Sequence, residues 1–84
     1  MEFKRIKRAG LVKYTNIHNT VHRLDGPAVI MAGGAEFWMK NNHIHRIGGP
    51  AYIGNFGHVG YYINGVRYDE EEYWKIIREK YETN

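Results

Sequence analysis

The sequence contains neither cysteine nor serine, and this double absence narrows its chemistry. Without cysteine, neither a disulfide framework nor a thiolate metal site is available to support a small domain. A nucleophilic enzyme needs an activated side chain beside a base, and the three threonines lie in no recognisable catalytic context. We therefore expect a protein without catalytic residues or cofactor, which is not an enzyme.

Long hydrophobic runs are missing too. No apolar stretch approaches the roughly 20 residues of a membrane-spanning helix, and the basic start, MEFKRIKRAGLV, lacks the apolar core of a signal peptide. We therefore expect a cytoplasmic location and no membrane partner. The 84 residues are expected to form one domain, at a size where a single core is barely sufficient.

Leucine is scarce, whereas there are ten glycines and seven tyrosines, a composition that favours short strands and tight turns. Charge is distributed unevenly. Residues 1–68 hold nine Lys or Arg against three acids, and residues 69–84 hold three against six. A basic body with an acidic tail suits nucleic acid or an acidic protein, and a net charge of +3 is too small to choose between them.

One heptad is written twice. HRLDGPA at 22–28 returns as HRIGGPA at 45–51, a shift of 23 residues. The same shift aligns three further pairs of turn or aromatic residues: Gly34 with Gly57, Trp38 with Tyr61, and Asn41 with Asn64. A fixed period with turn residues in phase indicates a structural repeat in which each unit is one supersecondary element.

Each unit is predicted to contain two strands and two turns. Gly33-Gly34 and Asn41-Asn42 separate the strands of the first unit, and Phe56-Gly57 and Asn64-Gly65 separate those of the second. Glycine and asparagine tolerate the positive φ that two-residue hairpin turns require. The GPA segment is then the corner between hairpins, with proline at the first residue of a strand.

The C-terminal segment changes period. Asp69 is the predicted N-cap of a helix over 69–82, with Glu72 three residues later to close a capping box. An apolar stripe follows at helical spacing, with Trp74 beside it: Tyr73, Ile76, Ile77 and Tyr81. We expect this helix to pack one face on the sheet.

Alternation along the strands assigns the faces of the sheet. With Gly33-Gly34 as the turn, Ile30 opposes Phe37, and one face collects aliphatic residues. The other face is expected to carry an aromatic and histidine-rich set: Val29, Trp38, His43, His45, Tyr52, Tyr61, Ile63 and Tyr68. One helix covers one face, so the aromatic face should stay partly exposed, as is typical of an interface.

The candidate partner interface combines rings from this face with arginines. Its predicted members are Trp38, Tyr52, Tyr61, Arg23, Arg46 and Arg67. Tyrosine and tryptophan are enriched at binding hot spots, and arginines steer acidic partners. The expected partner is another protein, or a second copy in a homodimer.

Nucleic-acid binding is the main alternative. Five cations form a basic N-terminal patch: Lys4, Arg5, Lys7, Arg8 and Lys13. These cations could contact phosphates while aromatic side chains stack on bases. On an edge strand, the same cations would also discourage aggregation between strands, so the alternative stays open.

The histidines raise the question of a metal site. His43 and His45 are expected on one face, with His22 near them, and imidazole is a common zinc ligand. However, His22 and His45 share a repeat position, which a structural role explains more simply. We predict that both rings hydrogen-bond the Gly-Pro corner and that no metal is bound.

The segments around the heptad resemble MORN-type repeats, most closely the variant yxNGxxHRxDGPA of small phage-encoded and bacterial proteins. The unit is written here as FWMKNNHIHRIGGPA and as YYINGVRY before the acidic helix, and the resemblance covers about residues 14–69. Gly48 and Tyr68 depart from the variant, and Arg23 and Arg46 replace the glycine of better-known MORN units. The resemblance implies an all-β meander that serves in binding or assembly and has no catalytic residues.

Together, these patterns predict a mainly β protein, an antiparallel meander of two 23-residue hairpin repeats with a C-terminal helix packed on the sheet. The single domain, 1–84, should divide into four segments: a basic N-terminal strand region (1–20), repeat 1 (21–44), repeat 2 (45–68) and the helix (69–82).

The predicted function is non-enzymatic protein binding. The resemblance suggests a phage-type protein that modulates or inhibits a host protein in the host cytoplasm. Nucleic-acid binding and homo-oligomeric assembly are the alternatives.

Overall fold

The computed structural model describes residues 3–81 as a mainly β fold that ends in one helix, which confirms the predicted fold class. Within this range the strands are β1 (Phe3–Arg8), β2 (Leu11–Asn16), β3 (Val29–Ile30), β4 (Glu36–Phe37), β5 (Met39–Lys40), β6 (His43–Ile44), β7 (Tyr52–Ile53), β8 (Val59–Ile63) and β9 (Val66–Tyr68), and the helix is α1 (Glu70–Lys80). Seven strands form an antiparallel sheet in the order β1-β2-β3-β4-β7-β8-β9, and β5 pairs with β6 in a separate two-stranded sheet. The chain is therefore a meander in which the β5–β6 hairpin leaves the main sheet.

The 23-residue repeat is visible in the backbone hydrogen bonds. Ala28 N donates to Phe37 O at 2.8 Å, and Ala51 N donates to Gly60 O at 2.9 Å. Bonds from residues 42 to 21 and from residues 65 to 44 recur with the same shift, both at 2.8 Å. The repeated sequence thus specifies a repeated fold unit, as expected.

Two-residue turns close three hairpins. The predicted turns at Asn41-Asn42 and Asn64-Gly65 are confirmed, with φ values of 48° and 69° in the first and 51° and 85° in the second. A third turn, Ala9-Gly10, joins β1 to β2 with φ values of 53° and 85° and was not predicted. Positive φ at both central residues matches the right-handed twist of the flanking strands.

The two-residue turns predicted at Gly33-Gly34 and Phe56-Gly57 are wrong. Both loops contain five residues, 31–35 and 54–58, each closed by a backbone bond between its ends at 2.8 and 2.7 Å. Each loop has one positive-φ glycine, Gly34 at 106° and Gly57 at 93°. A glycine at that position accommodates the left-handed conformation that ends a longer hairpin loop.

The longer loop shifts the register by one residue and overturns the predicted faces. Phe37 pairs with Val29 and Tyr52, whereas Ile30 pairs with Glu36. Because alternation has a period of two, a shift of one residue exchanges the faces of a strand. The predicted division of residues between the two faces was therefore wrong. Phe37 had been assigned to the face opposite that of Tyr52, but the two side chains share one face.

Helix α1 packs on the β8–β9 end of the sheet. Asp69 is the N-cap, and its carboxylate accepts a hydrogen bond from Glu72 N at 2.8 Å, as predicted. Tyr73 and Ile77 are fully buried against Ile63, whereas Tyr81, predicted in the apolar stripe, is 47% exposed. The helix ends at Lys80, and the predicted final residue, 82, lies outside the described residues. No helix within residues 3–81 is long and apolar enough to cross a membrane.

Candidate functional site

Each heptad forms a corner that its own arginine closes. We call residues 22–28 the first corner and residues 45–51 the second corner. Arg23 Nη1 donates to Pro27 O at 3.2 Å, and Arg46 Nη1 donates to Pro50 O at 3.1 Å. Glycine leaves room for the guanidinium inside each corner, because a Cβ on the residue at 26 or 49 would lie 2.8 or 2.9 Å from the guanidinium carbon, which would then have to shift.

Both guanidinium groups also stack on an aromatic ring. Arg23 Cζ lies 4.1 Å from the centre of the Tyr14 ring, and Arg46 Cζ lies 3.7 Å from that of the Trp38 ring. A planar cation over an aromatic face is stabilised by the quadrupole of the ring. The two arginines predicted to contact a partner are thus half-buried structural groups with only part of their surface available.

His22 and His45 were predicted to hydrogen-bond the Gly-Pro corner, and this prediction was wrong. His22 binds the turn of the β5–β6 hairpin, and His45 binds the turn of the β8–β9 hairpin. His22 Nδ1 accepts from Asn41 N at 3.1 Å, and His45 Nδ1 accepts from Asn64 N at 2.9 Å. Burial, followed by the charge of Lys40, lowers the pKa of His45 below its usual value. The neutral ring that results can keep its Nδ1 lone pair on the turn.

Helix α1 occupies the position where a third corner would lie. Asp69, the N-cap, stands 23 residues after Arg46, and Tyr61 stands 23 residues after Trp38. Instead of an arginine, Tyr61 meets Tyr73 at 4.9 Å and Trp74 at 6.2 Å between ring centres. Tyr61, predicted for the partly exposed aromatic face, packs against α1 and is half-buried. Burial, and then the charge of the carboxylate of Glu70, raise the pKa of Tyr61.

The Tyr73 hydroxyl caps the second corner. It donates to Arg46 O at 2.6 Å and accepts from Gly48 N at 2.9 Å and Gly49 N at 3.2 Å. One buried phenol therefore satisfies three backbone groups of a tight corner, which fixes the helix to repeat 2.

A groove opens between the two corners. It has a volume of about 300 Å³ and is lined by Arg23, Leu24, Trp38, Lys40, His45, Arg46 and Ile47, which together we call the corner groove. Leu24 is 64% exposed and Ile47 is 40% exposed. Trp38 Nε1 is buried without a hydrogen-bond partner among the described residues. The groove thus offers apolar side chains beside three cationic side chains, one of which, Arg23, is paired with the carboxylate of Asp25 at 3.2 Å.

The remaining predicted interface residues lie apart from the corner groove. Tyr52 contacts Phe37 in a tilted arrangement with ring centres 5.0 Å apart. Arg67 is exposed on β9, beside a separate shallow cavity that Asp69 also lines. The structure therefore unites three of the six predicted residues, Arg23, Arg46 and Trp38, in the corner groove.

The basic patch is divided between the two faces of the β1–β2 hairpin. Ile6 pairs with Lys13, so Lys4 and Arg8 share the face of Lys13, whereas Arg5 and Lys7 point to the opposite face. All four cations on β1 are exposed. Each face therefore carries part of the predicted patch.

Sequence reasoning missed Leu24, Ile47 and Lys40 as members of the groove. A signal was present, because an apolar residue follows the arginine in both heptads at a turn where polar residues are common.

Among residues 3–81, no group of three or more histidine or acidic side chains is placed to hold a metal ion. No protein-family model matches the chain, and comparisons with curated proteins and with solved structures also return no match.

Proposed function

We propose that this chain is a non-enzymatic protein-binding module whose contact surface is centred on the corner groove. The observation that supports the proposal is the exposure of Leu24 and Ile47 beside three cations in one groove. Exposed apolar side chains with a charged rim are typical of protein interfaces. The resemblance to phage-encoded repeat proteins extends the proposal to a host protein whose activity is modulated or inhibited.

The composition of the groove favours a protein over a small molecule. Small-molecule sites are concave and bury most of their ligand, whereas Leu24 and Ile47 line this groove while remaining 64% and 40% exposed. Trp38, Arg23 and Arg46 are held in place by stacking and by bonds to the corners. A rigid surface loses little conformational entropy on association, which supports binding to a folded partner.

A charge introduced into the groove tests this proposal. Leu24→Glu should abolish the capture of a specific protein from a bacterial extract by the immobilised chain, because it places a carboxylate in the apolar centre of the surface. Ile17→Glu is the matched control, since Ile17 is 71% exposed and does not line the groove. Both variants should keep the wild-type midpoint of urea unfolding. Equal capture by the two variants would remove the groove as the contact surface.

Nucleic-acid binding is a second candidate because one row across the main sheet combines cations with rings. Lys13 pairs with Val29, Val29 with Phe37, and Phe37 with Tyr52, so these side chains share a face with Lys4 and Arg8 of β1. Stacking platforms flanked by cations are how many proteins bind single-stranded nucleic acid.

The division of the basic patch provides a matched pair of variants for this second candidate. We expect binding of mixed single-stranded DNA or RNA, followed by fluorescence anisotropy, to weaken steeply as salt is raised. Lys4→Glu/Arg8→Glu should weaken it more than Arg5→Glu/Lys7→Glu, because only the first pair shares the face of the rings. Absence of binding at low salt would eliminate the candidate.

A further inference from the structure

We propose that the outer edge of β1 pairs with an extended acidic segment of a partner protein, which adds a further strand to the main sheet. β1 is the first strand in the order of this sheet, so none of the strands within residues 3–81 pairs with its outer side. It runs for six residues in unbroken register with β2, and its sequence, FKRIKR, contains no proline. A regular edge of this length presents the backbone groups that strand addition requires.

The backbone bonds of β2 show which groups of β1 point toward the open edge. Tyr14 N donates to Ala28 O at 2.8 Å, and Tyr14 O accepts from His22 N at 3.1 Å, so both groups of Tyr14 face away from β1. Arg5 is the cross-strand partner of Tyr14, and the two residues of such an antiparallel pair direct their backbone groups away from each other. The N–H and C=O groups of Arg5 therefore point toward the open edge, as do those of Lys7 two residues later.

The charges along this edge suit a strand that carries acids on both of its faces. One pair of exposed cations lies on each face of β1: Lys4 with Arg8, and Arg5 with Lys7. None of the β2 residues opposite them is acidic. An added strand alternates its side chains between the two faces, so its acids would meet both pairs of cations, whereas a ligand on one face would meet only one pair. Cross-strand pairs of opposite charge stabilise a sheet.

Other occupants fit this edge less well. Two β1 edges from two copies of the chain would bring like charges together, which destabilises cross-strand pairs. A nucleic acid would neutralise the cations, but it could not continue the ladder of backbone bonds that Arg5 and Lys7 offer. The same cations therefore discourage self-pairing while they attract an acidic strand.

The probe is a capped synthetic peptide with threonine at each end, a central valine, and a pair of glutamates on either side of the valine. With the valine opposite Ile6, its glutamates lie opposite the cations of β1, and the symmetric sequence offers them in either strand direction. Added to the ¹⁵N-labelled full-length chain, it should shift the amides of Arg5 and Lys7 and slow their hydrogen exchange, because they gain acceptors. The Ile6 amide already faces β2 and should exchange as before.

A backbone-modified peptide separates strand pairing from simple charge attraction. N-methyl groups on the two glutamates opposite Arg5 and Lys7 keep the charge but remove the N–H donors that antiparallel pairing directs at β1. Binding should then weaken about tenfold or more. Equal binding by the two peptides would overturn the proposal, and so would an absence of shifts at millimolar concentrations of the unmodified peptide.

Chain variants test whether both faces take part. Reversal of either pair of β1 cations to glutamate should weaken peptide binding about tenfold, because an added strand contacts both pairs. Arg67→Glu/Lys75→Glu is the matched control, since both residues are exposed at the opposite end of the sheet and the net charge changes by the same amount. It should leave binding almost unchanged. A loss confined to one of the two β1 pairs would contradict an added strand.

Three further outcomes would overturn the proposal in favour of a rival. A single-stranded thymidine oligonucleotide that shifts the Arg5 and Lys7 amides at lower concentration than the peptide would assign the edge to nucleic acid. Self-association of the wild-type chain in sedimentation, with slowed exchange at the Arg5 amide, would assign it to a second copy. Loss of peptide binding in Leu24→Glu would place the peptide in the corner groove. We expect that variant to bind the peptide normally, because no residue of β1 lines the groove, so the edge and the groove can each fail without the other.

Discussion

At the scale of single residues, the guanidinium of Arg46 has three neighbours in the second corner, and its contact with each depends on the same placement of the group. It lies 3.7 Å from the centre of the Trp38 ring, donates to Pro50 O, and fills the space beside Gly49 that a Cβ would take. A planar cation with several fixed donors suits this combination, whereas a lysine ammonium could not stack and donate in the same way. The arginine at this repeat position is therefore explained by the corner itself.

Gly49→Ala should disturb all three contacts together. The new methyl group would lie 2.9 Å from Arg46 Cζ, so the guanidinium would have to leave the Trp38 ring or the Pro50 carbonyl. We expect a loss of about 1–2 kcal/mol in the free energy of unfolding. Urea unfolding followed by circular dichroism measures this loss. In an Arg46→Ala background the same substitution should cost much less, and an unchanged cost there would contradict the explanation.

The protonation of His45 connects a single ring to the stability of a hairpin. Its Nδ1 accepts from Asn64 N, and burial lowers its pKa below the ordinary value of 6.5. Below pH 6.5 the unfolded state therefore binds the proton more readily than the folded state does. The contribution of this residue is complete above pH 6.5 and is lost as the pH falls from there toward the folded-state pKa.

His45→Asn should remove that part of the pH dependence. Asparagine offers a carbonyl oxygen near the position of Nδ1 and does not titrate, so the bond to Asn64 N can persist. The free energy of unfolding of the wild type relative to that of the variant should be constant above about pH 7 and should decrease as the pH falls below 6.5. Urea titrations from acidic to neutral pH measure this difference. Parallel curves for the two proteins would contradict the assignment.

At the scale of elements, α1 serves as the cap of the repeat array. It replaces the arginine of a third corner with the ring of Tyr73, and it closes the second corner with the hydroxyl of the same residue. Terminal units of repeat proteins need such caps because their last face has no neighbouring unit. The acidic first turn keeps the outer side of the cap charged, while Tyr73 and Ile77 supply its buried side.

Tyr73→Phe should show how much the hydroxyl contributes to this cap. The substitution leaves Arg46 O, Gly48 N and Gly49 N without their partner in a buried place, which should cost about 1–3 kcal/mol of unfolding free energy. Tyr81→Phe is the matched control, because Tyr81 is 47% exposed and its loss should be near zero. Urea unfolding of both variants tests the prediction, and similar losses would refute it.

Turn chemistry decided which elements the sequence could predict. The Asn41-Asn42 and Asn64-Gly65 turns were predictable because these residues tolerate a positive φ at two adjacent positions. Gly33-Gly34 was ambiguous, since glycine fits several loop lengths, and only Gly34 has a positive φ. The resulting one-residue error in register exchanged the predicted face of Phe37, so the meander was predicted correctly while its faces were not.

The site was predictable only in part for a related reason. Arg23, Arg46 and Trp38 were identified from the repeat, but their stacking depends on the path of the corners in space. The partial burial of Tyr61 depends on where α1 packs, which periodicity does not specify. Leu24 and Ile47 came together only because the corners bring both to one groove.

At the scale of the whole molecule, the fold is a short array between two different ends. The basic β1–β2 hairpin forms one end of the main sheet, and α1 covers the other. Between them, each repeat is joined to its neighbour by the same bonds, including Ala28 N to Phe37 O and Ala51 N to Gly60 O. Stability in such an array is approximately a sum over units and their interfaces, so the number of units should be adjustable.

Insertion of a second copy of residues 22–44 after residue 44 tests this additive architecture. The junction places a histidine after Ile44, as in the natural chain, and the new Arg23 would face the preceding Trp38 as Arg46 now does. We expect one cooperative transition with a larger dependence on urea concentration and a higher free energy of unfolding, because more surface is buried. A scrambled insert of the same composition is the control, and it should lower stability. Two separate unfolding transitions would contradict additive coupling.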